Sequence, residues 1–413
     1  MNVRNAKKPQ KRVDTSYVSR FRMQAYGHDN LYPQSLRDIT GASGTAELCL
    51  ARYTKFIEGY GFADQSFSEL ILNARGETAD DILHNVTADL ARYGGFALHV
   101  NYNVLCQVTS VSFVPFENCR LEEEDDTGNV AHIIIHPDWT GKRTRMGKPI
   151  YVSEKNIDRI AVFDPRPEVV MRQIADAGGI ERYKGQVLWF SMAGRSTYPT
   201  PVYDSVVTEI STDEGLGNVK YRNVRNNFLV SCMLVVKKGL PKIDENGEET
   251  ESQMISADDL KDFQGDEKTN KIMLVEIEND EDKPEVVAFP TKNYDKDFQT
   301  TDQSVIERIY AQFHQELFYA IRMGKLGFSG TVMRDAYEYY AGEVTTEQRA
   351  VQRAFEKVMA VYGAGEWAET DMTLQPMKYV TTENSDVNTV TSTPSTSPSQ
   401  PSQTPVPIFR FNT

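Results

Sequence analysis

Two histidines, His132 and His136, stand four residues apart in an apolar stretch, and they are the first place to look for chemistry. On a β-strand, residues four apart share a face, so the pair has the spacing of a metal-binding couple. No third ligand follows to complete it. Just upstream, Glu122-Glu-Glu-Asp-Asp126 is a run of five carboxylates ending in the turn signal Thr127-Gly-Asn129. Clustered carboxylates attract divalent cations, but consecutive ones on a hairpin point in divergent directions, so a solvated tip is expected. Asp280-Glu-Asp282 reads in the same way as a turn between strands rather than a two-metal site. The four cysteines, Cys49, Cys106, Cys119 and Cys232, are scattered without a CxxC pair and read as core thiols. The sequence contains no P-loop, GxGxxG, GxSxG or HExxH. Enzymatic activity would need carboxylates assembled from distant parts of the chain. The expectation is therefore a protein that is not an enzyme and that holds neither metal nor cofactor.

The elements that would position such residues follow from periodicity. Ala46, Cys49, Leu50, Tyr53 and Ile57 have helical spacing that stops at Gly59. Thr78 and Asp81 form a capping-box pattern before the stripe Ile82, Leu83, Val86, Leu90 and Tyr93. Phe96, Leu98, Val100 and Tyr102 alternate as a strand, with a partner strand at 104–114 across a turn near Asn103. Shorter strands are expected at 130–136, 149–152, 157–163 and 186–191, with a helix at 168–176. The first 200 residues thus read as a mixed α+β module. From Tyr203 a second regime begins: Val206, Val207, Ile210, Gly217, Tyr221, Val224 and Phe228 make one stripe along about seven helical turns. Gly215 and Gly217 each weaken an isolated helix by about 1 kcal/mol relative to alanine, which implies close packing against a neighbour or a kink. Strands at 228–238 and 271–278 flank the hairpin or disordered turn Asp244-Glu-Asn-Gly-Glu-Glu249 and a short helix capped by Ser256. Val305, Ile306, Ile309, Tyr310, Phe313 and Leu317 continue one long helix. Thr345 and Gln348 suggest another capping box before Val351, Phe355, Val358 and Met359, and Gly363 ends the pattern.

The chain has 413 residues and a formal net charge of −14. That balance argues against a whole-surface nucleic-acid binder, which should be basic. It does not exclude a protein past which DNA slides without being gripped, because extensive phosphate neutralisation would give tight, salt-sensitive binding; the sign of the charge alone decides nothing. Residues 229–293 hold sixteen Asp and Glu against eight Lys, more than half of the net charge. Residues 1–12 hold five basic residues and no acidic ones, either a mobile solvated arm or a contact for DNA or an acidic neighbour. No run approaches the roughly 18 apolar residues of a membrane helix, and the N-terminus lacks a signal peptide's apolar core, so a soluble protein made in a cytoplasm is expected. Residues 381–413 contain six Ser, eight Thr and five Pro. Such a segment is expected to be disordered in isolation, although Ile408, Phe409 and Phe411 suit docking on a sheet edge or groove.

The order of these features, helix, acidic strand-bearing insert, helix, glycine-rich Arg322-Met-Gly-Lys-Leu-Gly-Phe-Ser-Gly330 and helix, resembles the portal proteins of tailed bacteriophages. Shorter motifs carry the same resemblance. His28-Asp-Asn-Leu-Tyr-Pro33 is similar to their opening motif, and Phe56-Ile-Glu-Gly-Tyr-Gly-Phe62, Tyr93-Gly-Gly-Phe-Ala-Leu98 and Val114-Pro-Phe-Glu-Asn-Cys-Arg120 to their wing. Ser196-Thr-Tyr-Pro-Thr-Pro201 is similar to the lead into the first stem helix, and Asn223 and Asn226-Asn227 lie near that helix's end. The likeness covers about residues 26–379. The chain departs from the family after Tyr362, where it is too short for a developed crown and offers one wing strand at 372–380. It departs again at 322–344, which is long for a simple loop and has room for a helical turn around 334–340.

The resemblance implies an α+β portal fold divided as follows: 1–25 a basic arm, 26–203 the wing, 204–228 the first stem helix, 229–293 the clip, 294–321 the second stem helix, 322–344 the tunnel-loop region, 345–380 a channel helix with a return strand, and 381–413 a tail. It implies a homo-dodecameric ring at one capsid vertex of the virion, assembled in the bacterial cytoplasm without a membrane. That ring would conduct double-stranded DNA in packaging and ejection and dock the terminase large subunit, a head–tail adaptor and the major capsid protein. Arg322, Gly324, Lys325, Gly327 and Phe328 would face DNA on the tunnel loop and touch phosphates without reading bases. Alternatively, Arg322 and Lys325 cap the preceding helix electrostatically. Lys220, Arg222, Arg225 and Asn226 would lie along the stem and channel. Asp258, Asp259, Asp262, Glu276 and Glu278 would form the clip's docking surface. Another virion ring or adaptor component, and a soluble enzyme with an acidic inserted subdomain, are the rival readings.

Overall fold

The computed structural model describes residues 15–142, 144–145, 148–149, 151–194, 197–226, 230–237, 242–243, 249–250, 271–277, 294–327 and 329–379, with 222–298 described as backbone only. A ribbon of β1 (Tyr17–Val18) and β2 (Met23–Gln24) leads to helices α1 (Tyr32–Ala42), α2 (Gly44–Glu58), α3 (Gln65–Ser68) and α4 (Ala79–Tyr93). Ser43 caps α2 by accepting the amide of Ala46, and Thr78 with Asp81 forms the expected capping box on α4.

Next come β3 (Gly95–Tyr102), β4 (Val108–Val114), β5 (Cys119–Leu121), β6 (His132–Ile135), the small ribbon of β7 (Thr144–Arg145) and β8 (Lys148–Pro149), β9 (Asp158–Val162), α5 (Pro167–Ala177) and β10 (Gln186–Ser191). Six of these strands form one mixed sheet in the order β4-β3-β10-β9-β6-β5, in which only the β9–β10 pair is parallel. The β3–β4 hairpin turns at Asn103 as the alternation predicts, with Ala97 opposite Val114.

Helix α6 (Val207–Asn226) follows, then β11 (Val230–Lys237), β12 (Lys242–Ile243), β13 (Glu249–Thr250) and β14 (Lys271–Ile277). β11 and β14 pair in parallel, from Val230 opposite Lys271 to Lys237 opposite Ile277. β12 and β13 bracket the expected acidic turn as an antiparallel hairpin. Ser256, the expected cap of a helix in this insert, lies outside the described residues, as do the arm at 1–12 and the tail at 381–413.

The chain returns through α7 (Tyr294–Gln312), α8 (Glu316–Arg322), α9 (Gly330–Glu343) and α10 (Thr345–Met359). One core joins the helices to the sheet. Phe56 meets Phe318, Tyr337 and Tyr340, while Phe62 and Phe67 close against Phe355. Gly59 is required where α2 ends. Its φ is +64°, and a Cβ there would lie 2.0 Å from the carbonyl oxygen of Gln375.

Four expectations are corrected. The single helix expected through Leu317 is broken at His314, whose φ is +56°. At the break the buried Gln315 donates to the Cys49 carbonyl and the Tyr340 hydroxyl, both at 2.8 Å, and accepts from Arg52 at 2.9 Å, which lets Phe313 and Phe318 both face the core. The span 322–344 is mostly helix rather than loop: Ser329 caps α9, and Ala336 and Tyr340 bury its inner face. No capping box opens α10, because Gln348 instead donates to the Phe56 carbonyl and Thr345 to the preceding turn. The return strand at 372–380 reduces, among the described residues, to a bridge between Phe62 and Leu374 held by amides of Tyr60, Ala63 and Gln375.

Candidate nucleic-acid interface

Helices α6 and α7 run antiparallel. Glu209 pairs with Arg308 at 3.1 Å, and further out Lys220 pairs with Asp302 at 2.8 Å. At the inner end, Gln312 donates to the Val202 carbonyl at 2.6 Å and Tyr203 stacks on Phe313. The apolar stripe is buried at Val206, in the turn before α6, and at Ile210 and Leu216 within it. It then leaves the core: Val219 is 39% and Tyr221 60% exposed. α6 runs unbroken through Gly215 and Gly217, and a Cβ at either would meet nothing within 4 Å. The close packing expected at these glycines is therefore not made within the chain's described residues.

The base of α6 is held by a buried junction that brings together three motifs lying far apart in sequence. Tyr26 and Tyr198 stack with ring centroids 4.0 Å apart. The Tyr26 hydroxyl donates to the Pro199 carbonyl at 2.7 Å, and the Tyr198 hydroxyl donates to the Gln24 carbonyl and accepts from the Leu121 amide. Burial pushes both hydroxyls well above their ordinary pKa, so they act as neutral donors. Tyr32 bonds Asp204 at the start of the turn into α6. Beside them Arg120 is fully buried, with its guanidinium bonded to Asn30 twice and to the carbonyls of Glu117 and Cys119, all within 2.9 Å, and to Gln34 at 3.3 Å. All of these acceptors are neutral oxygens, and burial lowers the Arg120 pKa accordingly. Sequence patterning missed this junction, because no periodicity links residues 30, 120 and 198.

The expected DNA-facing residues lie at the end of α8. Arg322 is in its last turn and donates to the Tyr310 hydroxyl at 3.0 Å, a bond that raises the arginine's pKa. Gly324 has φ +69°, and its amide and that of Lys325 close the helix on Ile321 and Ala320. The Lys325 ammonium lies 5.6 Å from the Tyr319 ring centroid. Both cations thus stand at a helix C-terminus, the geometry of the electrostatic alternative, while Gly324, Lys325 and Gly327 also remain exposed.

Arg322 and Lys220, read separately in the sequence, line one open cavity of about 550 Å³ between the α1–α2 junction, α6 and α7. Asp213, Glu214 and Asp302 line it too. Cations offset by neighbouring carboxylates can meet a phosphate backbone without binding it tightly. Arg222, Arg225 and Asn226 occupy the last turns of α6 and Glu276 a place on β14, with side chains outside the described residues. Phe328, Asp258, Asp259, Asp262 and Glu278 lie wholly outside them.

The histidine pair does not converge on a common point. His132 Nδ1 is 2.6 Å from a Glu122 carboxylate oxygen, whereas His136 accepts the Asp138 amide and packs on Trp139. Among the described residues no group of three or more His, Cys, Asp or Glu is placed to hold a metal ion. Cys49, Cys106 and Cys119 are free and buried; burial pushes the Cys49 thiol up to about 12 and raises that of Cys119 further. Among the described residues no helix is long and apolar enough to cross a membrane.

No protein-family model matches the chain, and no curated protein matches it in sequence. Among solved structures, it aligns with a chain from the neck of a native gene transfer agent (GTA) particle computed with C12 symmetry, at TM-score 0.43 and 10% identity over 81% of this chain and 82% of that one. A chain from the neck of the empty particle computed with C6 symmetry aligns at 0.43 and 10% over 83% of each. A chain from the virion of the native particle aligns at 0.41 and 11% over 80% and 81%.

Proposed function

We propose that this chain is the repeating subunit of a portal-type ring in a phage-like particle, a passage for double-stranded DNA rather than an enzyme. The observation that carries the reading is the α6–α7 pair: two antiparallel helices rise from one core, flank an acidic strand-bearing insert, and expose Val219 and Tyr221. Two residues apart on a helix, these side chains project to nearly opposite sides of α6. In a ring, each side meets one adjacent copy. The passage would be walled by α6 and α7, with Lys220, Arg322 and Lys325 touching phosphates transiently. The acidic insert at 229–293 would dock a terminase motor and then a head–tail adaptor, and the α+β module would face the capsid protein.

Solution mass of the purified chain, with imaging of the same peak, tests the proposal. Twelve copies of the 46.7 kDa chain give about 560 kDa and an annular particle. A single compact monomer across the accessible concentration range would overturn it.

A further inference from the structure

The six-stranded sheet has an opening in its interior. β10 pairs with β3 along its whole length, but β9 covers only Gln186 and Val187. The Phe163 amide donates to the Val187 carbonyl, and backbone polar groups alternate sides along a strand, so those of Trp189 face the same uncovered side. Among the described residues no strand continues β9 there. A free strand edge is a template for another strand.

A groove of about 570 Å³ lies along this edge. Its floor is apolar: Val162, Phe163, Leu188, Phe190 and Met192, the last 43% exposed. α10 forms the other wall and presents Arg349, Arg353 and Lys357 to it. All three are exposed, none forms an ion pair with a described residue, and no carboxylate lines the groove. They recur every four residues, so their backbones are spaced about 6 Å apart along the helix. Alternate residues of an extended strand are spaced about 6.7 Å apart. The two repeats match over three positions.

We propose that this groove binds an extended acidic peptide segment from a partner protein, added as a strand to the free edge of β10. Carboxylates at alternate positions face α10 and meet Arg349, Arg353 and Lys357 beside Leu188 and Phe190, and the intervening apolar side chains fall on the opposite face of the sheet, on the side of Trp189. A DNA duplex does not fit: its phosphates could reach the rim, but a convex cylinder offers nothing to a narrow apolar floor. The site is separate from the α6–α7 cavity, and the inference stands whether or not the chain forms a ring.

The test uses the full chain and a fluorescent peptide of strictly alternating valine and glutamate, four of each, in anisotropy titrations at low salt. Saturable binding is expected. It should weaken at least tenfold when the same residues are reordered as a valine block followed by a glutamate block. It should weaken equally when alternate backbone amides of the peptide are N-methylated, which removes strand pairing without touching the protein. Arg349→Gln with Arg353→Gln should weaken it at least tenfold with an unchanged circular dichroism spectrum, and Arg353→Lys should retain most of it. Absence of saturable binding, equal binding of the reordered or N-methylated peptide, or displacement by a 20-base-pair duplex as effectively as by unlabelled peptide would each overturn the proposal.

Discussion

Asp89 offers a measurable test of how this fold handles a buried charge. It sits on the inner side of α4, and its carboxylate accepts the Phe116 amide at 2.8 Å. Burial raises its pKa from the ordinary 3.8 to about 8, the Phe116 bond opposes that rise, and the nearby Glu117 adds to it. The unfolded chain releases this proton near pH 4 and the folded chain only near pH 8. The group's contribution to stability is therefore fully present below pH 4, declines as pH rises from 4 to 8, and is flat above. Each pKa unit corresponds to about 1.4 kcal/mol, which sets a ceiling of roughly 6 kcal/mol. Asp89 keeps part of its surface in contact with water, so about 2–3 kcal/mol is the expected loss. Asp89→Asn keeps a carbonyl oxygen for the Phe116 amide and cannot ionise. Urea unfolding at pH 4.5, 7 and 9 should give nearly equal stabilities for the two proteins at the lowest pH, with the variant more stable by about 2–3 kcal/mol at the highest. Parallel stability curves for the two proteins would refute the assignment of a neutral folded carboxyl.

Arg120→Lys should destabilise the chain by about 3–5 kcal/mol in the same assay, because a lysine cannot satisfy the five buried oxygen contacts of the guanidinium yet still brings a charge; a loss under 1 kcal/mol would contradict the junction's role. Arg322→Ala with Lys325→Ala should leave assembly mass unchanged and lower the salt dependence of DNA retention by at most about two units of logarithmic slope per subunit engaged. An unaltered slope would remove these residues from the DNA path.

The local fold was largely legible because local rules produce it. The Thr78–Asp81 box, the Phe96–Tyr102 alternation and the turn at Asn103 each depend on residues within a few positions of one another. What escaped depends on distant partners. The hydrophobic stripe continues smoothly across Phe313 and Leu317, and only the buried amide of Gln315, bonded to Cys49 and Tyr340, shows why the helix stops and restarts there. Gln348 had the right spacing for a cap, but its amide is taken by the Phe56 carbonyl. Of the candidate site, Arg322 and Lys325 fall at the end of α8, and the association of Arg322 with Lys220, Asp213 and Asp302 needed the folded α6–α7 pair. The cationic row Arg349, Arg353 and Lys357 was not singled out in the sequence, because an i, i+4, i+8 repeat of cations acquires meaning only beside the uncovered edge of β10.

The outer half of α6 is where stability and function pull apart. Two glycines in an exposed helix cost about 2 kcal/mol together relative to alanine, and neither meets a neighbouring atom that would justify its lack of a side chain. Val219 and Tyr221, each one helical turn on from one of these glycines, are 39% and 60% exposed. A chain evolving only to fold alone would replace all four. Gly215 with Val219 lies on one side of α6 and Gly217 with Tyr221 on the nearly opposite side, so a helix approaching either side finds a glycine that admits a close backbone and an apolar side chain to bury. The acidic Glu209 in the first turn of α6, and the cationic Arg222 and Arg225 in its last turns, also match the polarity of a helix whose N-terminus is positive and C-terminus negative. That arrangement steadies α6 along the length that has little core beneath it. A helix stabilised by its own charges and exposing an apolar side chain on each of two sides suits the ring we propose.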